Sequence, residues 1–189
     1  DIPENMEREY YENGIGGSAA LNKIMDRFEA SEEEQLLLLD DDIIGMKAGS
    51  LDSLTSKLDK KNWDVLSLVQ HDFPPPNKIR LEPTYFLCSA AVLIRRSASH
   101  LRFDEEMDHM KDVDFGIRAQ IDGLKTYRIS RESDVFINAG ASESTLFLDD
   151  NHRWNIYEQL LEQKSEEYDV ELEPYGTLRD DDAFAISLN

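Results

Sequence analysis

The sequence predicts an α/β domain with a mostly parallel sheet flanked by helices. Segments with helical spacing of apolar residues alternate with short apolar runs that are typical of buried strands. The chain has 189 residues, of which 40% are hydrophobic, and this suits one domain with a sizeable core. Strands separated by helices favour parallel pairing, because a chain that returns along a helix enters the sheet in the same direction.

The first half of the chain contains two predicted helices and two predicted strands. Residues 17–30 place apolar side chains on one helical stripe, and the leucine-rich run 35–39 follows as a strand. Residues 49–60 carry leucines at helical spacing and predict the second helix. Residues 63–70 predict the next strand.

The second half begins with a proline-rich stretch. Three consecutive prolines exclude regular structure around them, so residues 71–84 are predicted to form a surface loop. The apolar residues 85–94 predict a buried strand. Residues 112–123 predict a helix, 125–130 a short strand, and 151–168 an amphipathic helix.

The charge balance restricts the classes of partner. The chain contains 40 acidic and 20 basic residues, which gives a formal net charge of -20. Such a surface repels phosphate backbones and anionic lipids, so we expect no nucleic-acid partner. No apolar run approaches the ~20 residues that cross a bilayer. We therefore expect no stable membrane insertion and a cytoplasmic location, with membrane attachment only through segments outside this sequence.

Three adjacent carboxylates, Asp40, Asp41 and Asp42, follow the predicted strand 35–39. They repel one another, and their apolar neighbours limit solvation. Ligands of parallel α/β sheets bind at the carboxyl ends of the strands. Side chains alternate along an extended chain, so Asp40 and Asp42 face one side and Asp41 the other. This pattern predicts a Mg²⁺ or Mn²⁺ site, and an acidic loop with Asp41 in a turn is the alternative.

Glycines and arginines supply further candidates. Gly16 and Gly17 precede a helix, where they either let the backbone approach a substrate or form a tight loop with no ligand. Arg95 and Arg96 end a predicted strand, where they either reach a phosphate or lie in solvent.

Four segments in order resemble the inverting family 2 glycosyltransferases with the GT-A fold. Residues 36–44 (LLLLDDDII) resemble the Asp-x-Asp element, and 12–25 (ENGIGGSAALNKIM) the glycine-containing segment before it. Residues 89–107 resemble the strand, arginine pair and Phe-Asp-Glu of the family, and 110–127 its acidic pair, helix and following strand. The spacing is compatible over residues 12–142, and the galactofuranosyltransferase-like branch is the most similar.

The resemblance implies a GT-A-like catalytic domain in residues 1–150, followed by an amphipathic helix and acidic tail in 151–189. It implies inverting transfer of a sugar from a nucleoside-diphosphate sugar to a hydroxyl of a glycan or similar acceptor. Asp40 and Asp42 would hold Mn²⁺ or Mg²⁺ with the donor diphosphate, and Asp112 would be the catalytic base.

The resemblance also implies roles for several other residues. The substrate-binding candidates are Gly16, Gly17, Asp41, Asp114 and Arg118, and the further metal candidates are Asn138 and His152. Two structural alternatives remain open. Asp112 is favoured at a helix N-cap, and Arg118 is spaced to form an i, i+4 ion pair with Asp114.

Three departures from the family pattern leave other functions open. Lys111 replaces the first acid of the family's acidic pair, and Asn138 replaces a metal-binding histidine. The N-terminal nucleoside-binding units of the family have no counterpart before Asn13, so we expect the sequence to be part of a longer protein. The alternatives are a non-catalytic carbohydrate- or partner-binding remnant of the fold and a Mg²⁺-dependent phosphohydrolase, for which the expected Thr after the acids is missing.

Overall fold

The computed structural model describes residues 17–39, 43–46, 50–68, 79–87, 91–107, 109–129, 136–138, 150–174, 176–179, 181–182 and 184–186. Its helices are α1 (Gly17–Ala30), α2 (Ser50–Leu58), α3 (Lys111–Ile121) and α4 (Asp150–Tyr168). Its strands are β1 (Gln35–Leu39), β2 (Ile43–Met46), β3 (Val65–Ser67), β4 (Ile79–Pro83), β5 (Ala91–Arg95), β6 (Thr126–Ile129), β7 (Phe136–Asn138) and β8 (Phe184–Ile186).

Six of the described strands form one sheet in the order β1-β5-β3-β6-β4-β8, and β2 pairs separately with β7. Within the six-stranded sheet only β3 and β6 are parallel neighbours, and the other four pairs are antiparallel. The prediction of a mixed α/β domain is therefore confirmed, whereas that of a mostly parallel sheet is wrong. The strands β1 and β3, linked through α2, do run in the same direction, but β5 is inserted between them in the opposite direction.

The helix predictions agree well with the structure, and the strand predictions agree less well. All four predicted helices are present within two residues of the predicted ends. The loop predicted over residues 71–84 is wrong in part, because Ile79–Pro83 forms β4. Pro83 is the last residue of that strand and lies beyond the described pairing of β4 with β8, which ends at Leu81, so it occupies an edge position where proline is tolerated. The strand predicted over 85–94 begins only at Ala91, and the described residues 85–87 are not extended in the sheet.

The sheet separates two hydrophobic clusters, because side chains alternate between the faces of each strand. Leu66 and Leu93 pack with buried leucines of α2 on one face. Val65 and Val92 pack with buried residues of α1 and α3 on the other face. The result is a three-layer arrangement of helix, sheet and helices.

The C-terminal segment also contacts this arrangement. Tyr157, Leu160 and Leu161 of α4 form a third cluster with Val113 and Ile117 of α3. Strand β8 adds to the sheet beside β4. The domain boundary predicted at residue 150 stays a prediction. Described residues before and after it are in contact through the α3–α4 cluster and the pairing of β4 with β8.

Gly116 in the middle of α3 allows this helix to pack closely against the chain at Tyr85. A Cβ at Gly116 would overlap the carbonyl oxygen of Tyr85 and lie 3.1 Å from the Leu87 Cγ. A backbone oxygen cannot rotate away as a side chain can. We expect Gly116→Ala to lower the free energy of unfolding by about 2 kcal/mol, although alanine has the higher helix propensity.

Urea denaturation would measure this difference, with Gly17→Ala as the control. Among the described residues, the methyl group added at Gly17 meets only the end of the flexible Lys111 side chain, so the free energy of unfolding should not fall. Equal stability of Gly116→Ala and the wild-type protein would show that α3 can move away from Tyr85 at little cost.

Candidate functional site

The candidate site lies at the edge of the sheet where β1, β3 and β6 end. Strands β1 and β3 are both antiparallel to β5, and β3 is parallel to β6, so all three point to the same edge. Strand β1 ends at Leu39, directly before Asp40. Asp40, Asp41, Asp42 and Gly16 lie outside the described residues. Their predicted roles stay predictions.

A two-stranded pairing brings together two distant parts of the sequence that contain metal candidates. Strand β2 begins at Ile43, the residue after Asp42, and Ile43 is paired with Asn138 at the end of β7. Opposite residues of antiparallel strands have Cα atoms about 5 Å apart. The backbone of Asn138 therefore lies next to the residue that follows the acidic triplet, although 95 positions separate Ile43 from Asn138 in the sequence.

His152, the other weak metal candidate, lies in the first turn of α4. Among the described residues, no group of three or more His, Cys, Asp or Glu side chains is arranged to hold a metal ion. Asp40 and Asp42, which are predicted to be the main ligands, are not among the described residues.

The helices α1 and α3 both begin at the same edge of the sheet. Each helix packs against the sheet and is joined by four residues to a strand that runs toward this edge, so the helix itself runs away from it. Their first turns are in contact, because a Cβ at Gly17 would lie only 2.6 Å from the Lys111 Nζ. Two predicted site segments, around residues 17 and 112, are therefore brought together.

Asp112 lies in the first turn of α3 and is partly buried. Its Oδ1 accepts a hydrogen bond of 3.0 Å from the main-chain N–H of Val113. The N-cap residue of α3 is Met110, which has a left-handed backbone with φ of 57° and no side-chain cap. The alternative that Asp112 is the N-cap is therefore wrong, and its role as a catalytic base stays a prediction.

Asp114 and Arg118 form the i, i+4 ion pair that their spacing predicts. The Arg118 Nε and Nη2 donate to the Asp114 Oδ2 at 2.8 and 2.5 Å. Asp114 is fully buried, and the Lys164 Nζ of α4 lies 3.1 Å from its other carboxylate oxygen. The ion-pair prediction is confirmed, and these contacts favour a structural role over the predicted binding of substrate.

Lys164 is a residue that sequence reasoning missed. It is 6% exposed and also donates to the Glu167 Oε2 at 2.8 Å. Burial alone would lower the pKa of Lys164, but the hydrogen bond to Glu167 and the attraction of Asp114 outweigh it and raise this pKa. The hydrogen bond from Lys164 also lowers the pKa of Glu167. Helical spacing could identify the Lys164–Glu167 pair, but not the contact with α3.

Asn22 is a second residue that sequence reasoning missed, and it holds the segment that leads to α3. Its Nδ2 donates to the carbonyl oxygen of Phe103 and to the Glu105 Oε1, both at 2.9 Å. Its Oδ1 accepts a hydrogen bond of 2.6 Å from the Phe103 N–H. The available signal was an asparagine at helical spacing from the apolar Met25 and Phe28.

Arg95 and Arg96 have structural partners at the opposite edge of the sheet. Arg95 donates to the carbonyl oxygens of Lys61 and Trp63, and its guanidinium lies 4.3 Å from the Trp63 ring centroid. Arg96 donates to the carbonyl oxygens of Phe28 and Ser31. The sequence predicted that these arginines either contact a phosphate or lie in solvent. Their hydrogen bonds to main-chain carbonyl groups match neither prediction.

Comparison with known proteins adds no assignment. The sequence matches no protein-family model and no curated protein. In the part of the chain that the structure describes, no helix is both long enough and apolar enough to cross a membrane.

Proposed function

We propose that the chain is a metal-dependent inverting glycosyltransferase of the GT-A type. It transfers a sugar from a nucleoside-diphosphate sugar to a hydroxyl group of a glycan or similar acceptor. The proposal includes the cytoplasmic location that the sequence predicts.

The observation that supports this proposal most is the pairing of Ile43 with Asn138. The resemblance implies that a residue at position 138 contributes to the metal site of Asp40 and Asp42. The pairing of β2 with β7 brings the main chain at Asn138 beside Ile43, the residue that follows the acidic triplet in the sequence. Carboxylate and amide oxygens are ligands that Mn²⁺ and Mg²⁺ accept.

The position of Asp112 gives independent support. Inverting transfer needs a carboxylate that takes the proton of the acceptor hydroxyl as its oxygen attacks the anomeric carbon. Asp112 lies in the first turn of α3, at the edge of the sheet to which β1 leads. A cation held by Asp40 and Asp42 would stabilise the negative charge of the departing nucleoside diphosphate.

Turnover of UDP-sugars and GDP-sugars with Mn²⁺ would test the proposal. We expect release of nucleoside diphosphate that stops when EDTA removes the metal. Asp42→Asn should lower the rate at least about a hundredfold, because it removes one charged ligand of the cation. Asp182→Asn is the matched control, because Asp182 is exposed and ends the second aspartate triplet of the chain.

Each alternative function has its own outcome in this assay. Binding of a glycan without any turnover would favour the non-catalytic remnant. Hydrolysis of a phosphate monoester with no turnover of nucleotide sugars would favour the phosphohydrolase. Either outcome would contradict the proposed function.

A further inference from the structure

The Lys111 side chain brings a positive charge to the first turn of α1, although the first turn of α3 also contains Asp112 and Asp114. The free N–H groups at a helix N-terminus carry partial positive charge, and α1 has no acidic residue in its first turn. The Lys111 ammonium group lies against this turn, at the position where Gly17 leaves room for it. No described residue forms an ion pair with Lys111. A cation in this position is repelled by the helix unless an anion lies between them.

Ser18, the second residue of α1, gives an independent indication of a ligand. It is only 5% exposed, and its hydroxyl has no hydrogen-bond partner among the described residues. Side chains of a helix tilt toward its N-terminus, so the Ser18 hydroxyl lies over the first turn of α1. Buried hydroxyl groups are nearly always hydrogen-bonded, and an anion bound at this end of α1 would give the Ser18 hydroxyl a partner.

We propose that the junction of α1 and α3 binds an oxyanion, a phosphate or carboxylate group, without a metal ion. The group would accept hydrogen bonds from the first main-chain N–H groups of α1 and from the Ser18 hydroxyl. It would form an ion pair with the Lys111 ammonium. The absence of a Cβ at Gly17 leaves space for this arrangement, because a methyl group there would displace the Lys111 Nζ.

The backbone at Gly17 is predicted to approach the sugar nucleotide, but the proposed site binds its anion without a metal ion, which distinguishes it from the expected site of the donor diphosphate. Lys111 is adjacent to Asp112, the predicted catalytic base, whereas the donor diphosphate is expected on the metal held by Asp40 and Asp42. The oxyanion would therefore belong to the acceptor, which makes the acceptor an acidic or phosphorylated glycan. This assignment to the acceptor rests on the proposed function, and the anion site itself does not.

Titration calorimetry with inorganic phosphate and with glucuronate, in an amine chloride buffer freed of metal ions by a chelating resin, would test the site. We expect saturable binding of at least one of the two at one site per chain. Lys111→Gln should weaken that binding at least about tenfold and Ser18→Ala about threefold, because they remove a charged and a neutral donor. Gly17→Ala should weaken it about tenfold while the fold is retained. Lys23→Gln is the control, because Lys23 is exposed on the same helix.

Three results would overturn the anion site: no saturable binding of either probe, binding only when Mn²⁺ is added, or equal weakening in Lys23→Gln. If Lys111→Gln unfolds in a thermal melt, Gly17→Ala decides, because its added methyl group meets a flexible side chain and no other group of the described residues. Turnover of nucleotide sugars, without anion binding in metal-free buffer, would overturn this inference alone. Anion binding without turnover would overturn only the glycosyltransferase proposal.

Discussion

Asp112→Asn is expected to lower the rate of sugar transfer at least about a thousandfold and to leave metal-dependent donor binding unchanged. An amide cannot take the proton of the acceptor hydroxyl, whereas the size and shape of the side chain are preserved. The Asn Oδ1 can still accept the hydrogen bond that the Asp112 Oδ1 receives from the Val113 N–H. The start of α3 should therefore be unaffected, so the loss would report on chemistry and not on folding.

Transfer rates in the presence of Mn²⁺, together with calorimetric titration of the donor, would measure the two quantities separately. Asp122→Asn is the matched control, because Asp122 lies at the other end of the same helix and is exposed. Turnover of Asp112→Asn at the wild-type rate would rule out Asp112 as the base. A parallel loss of donor affinity would show that Asp112 acts in binding.

The helices were predicted well because the apolar residues that indicate a helix all lie within one short segment of the sequence. Residues 17–30 form a helix with Met25 and Phe28 buried, as the helical spacing of their apolar residues predicts. The predicted strand 35–39 also matches β1. In both segments the pattern of apolar residues within the segment is enough to indicate its conformation.

The direction of neighbouring strands could not be predicted in the same way. Strand β5 lies between β1 and β3 and is antiparallel to both. No pattern within β5 indicates its direction, since buried strands of either orientation are apolar. Ile79 and Leu81 alternate with polar residues and are typical of a strand, but the neighbouring prolines led to a prediction of a loop.

The candidate site shows the same limit. The pair of Asp114 and Arg118 follows from helical spacing and was predictable. The contact of Lys164 with Asp114 joins residues that are 50 positions apart, and only the packing of α4 on α3 creates it. The contact between Lys111 and Gly17 arises in the same way, from the two helices that begin at one edge of the sheet.

Lys164→Met is expected to lower the free energy of unfolding by about 3 kcal/mol, because it removes one cation from a fully buried carboxylate. Methionine keeps most of the volume of lysine, so packing between α3 and α4 is preserved. Asp114 would keep only Arg118, which contacts its Oδ2 and leaves Oδ1 without a charged partner. Urea denaturation at neutral pH would measure the difference. Lys23→Met, at an exposed position of α1, should change stability by less than about 0.5 kcal/mol.

The dependence of this difference on pH gives a second test of the same ion pair. The pKa of Lys164 is raised in the folded protein. The contribution of Lys164 to the free energy of unfolding is therefore fully present below the ordinary lysine pKa, and it is lost as the pH rises through the pKa of the folded protein. The stability difference between the wild-type protein and Lys164→Met should therefore stay constant from neutral pH to about pH 10 and shrink above it.

Adding Asp114→Asn to Lys164→Met should recover part of the lost stability, because the two side chains are in contact and their effects are not additive. Two results would show that Lys164 stabilises α4 by packing alone. The first is a stability loss of Lys164→Met that is unchanged at pH 11. The second is a double variant whose loss equals the sum of the losses of the two single variants.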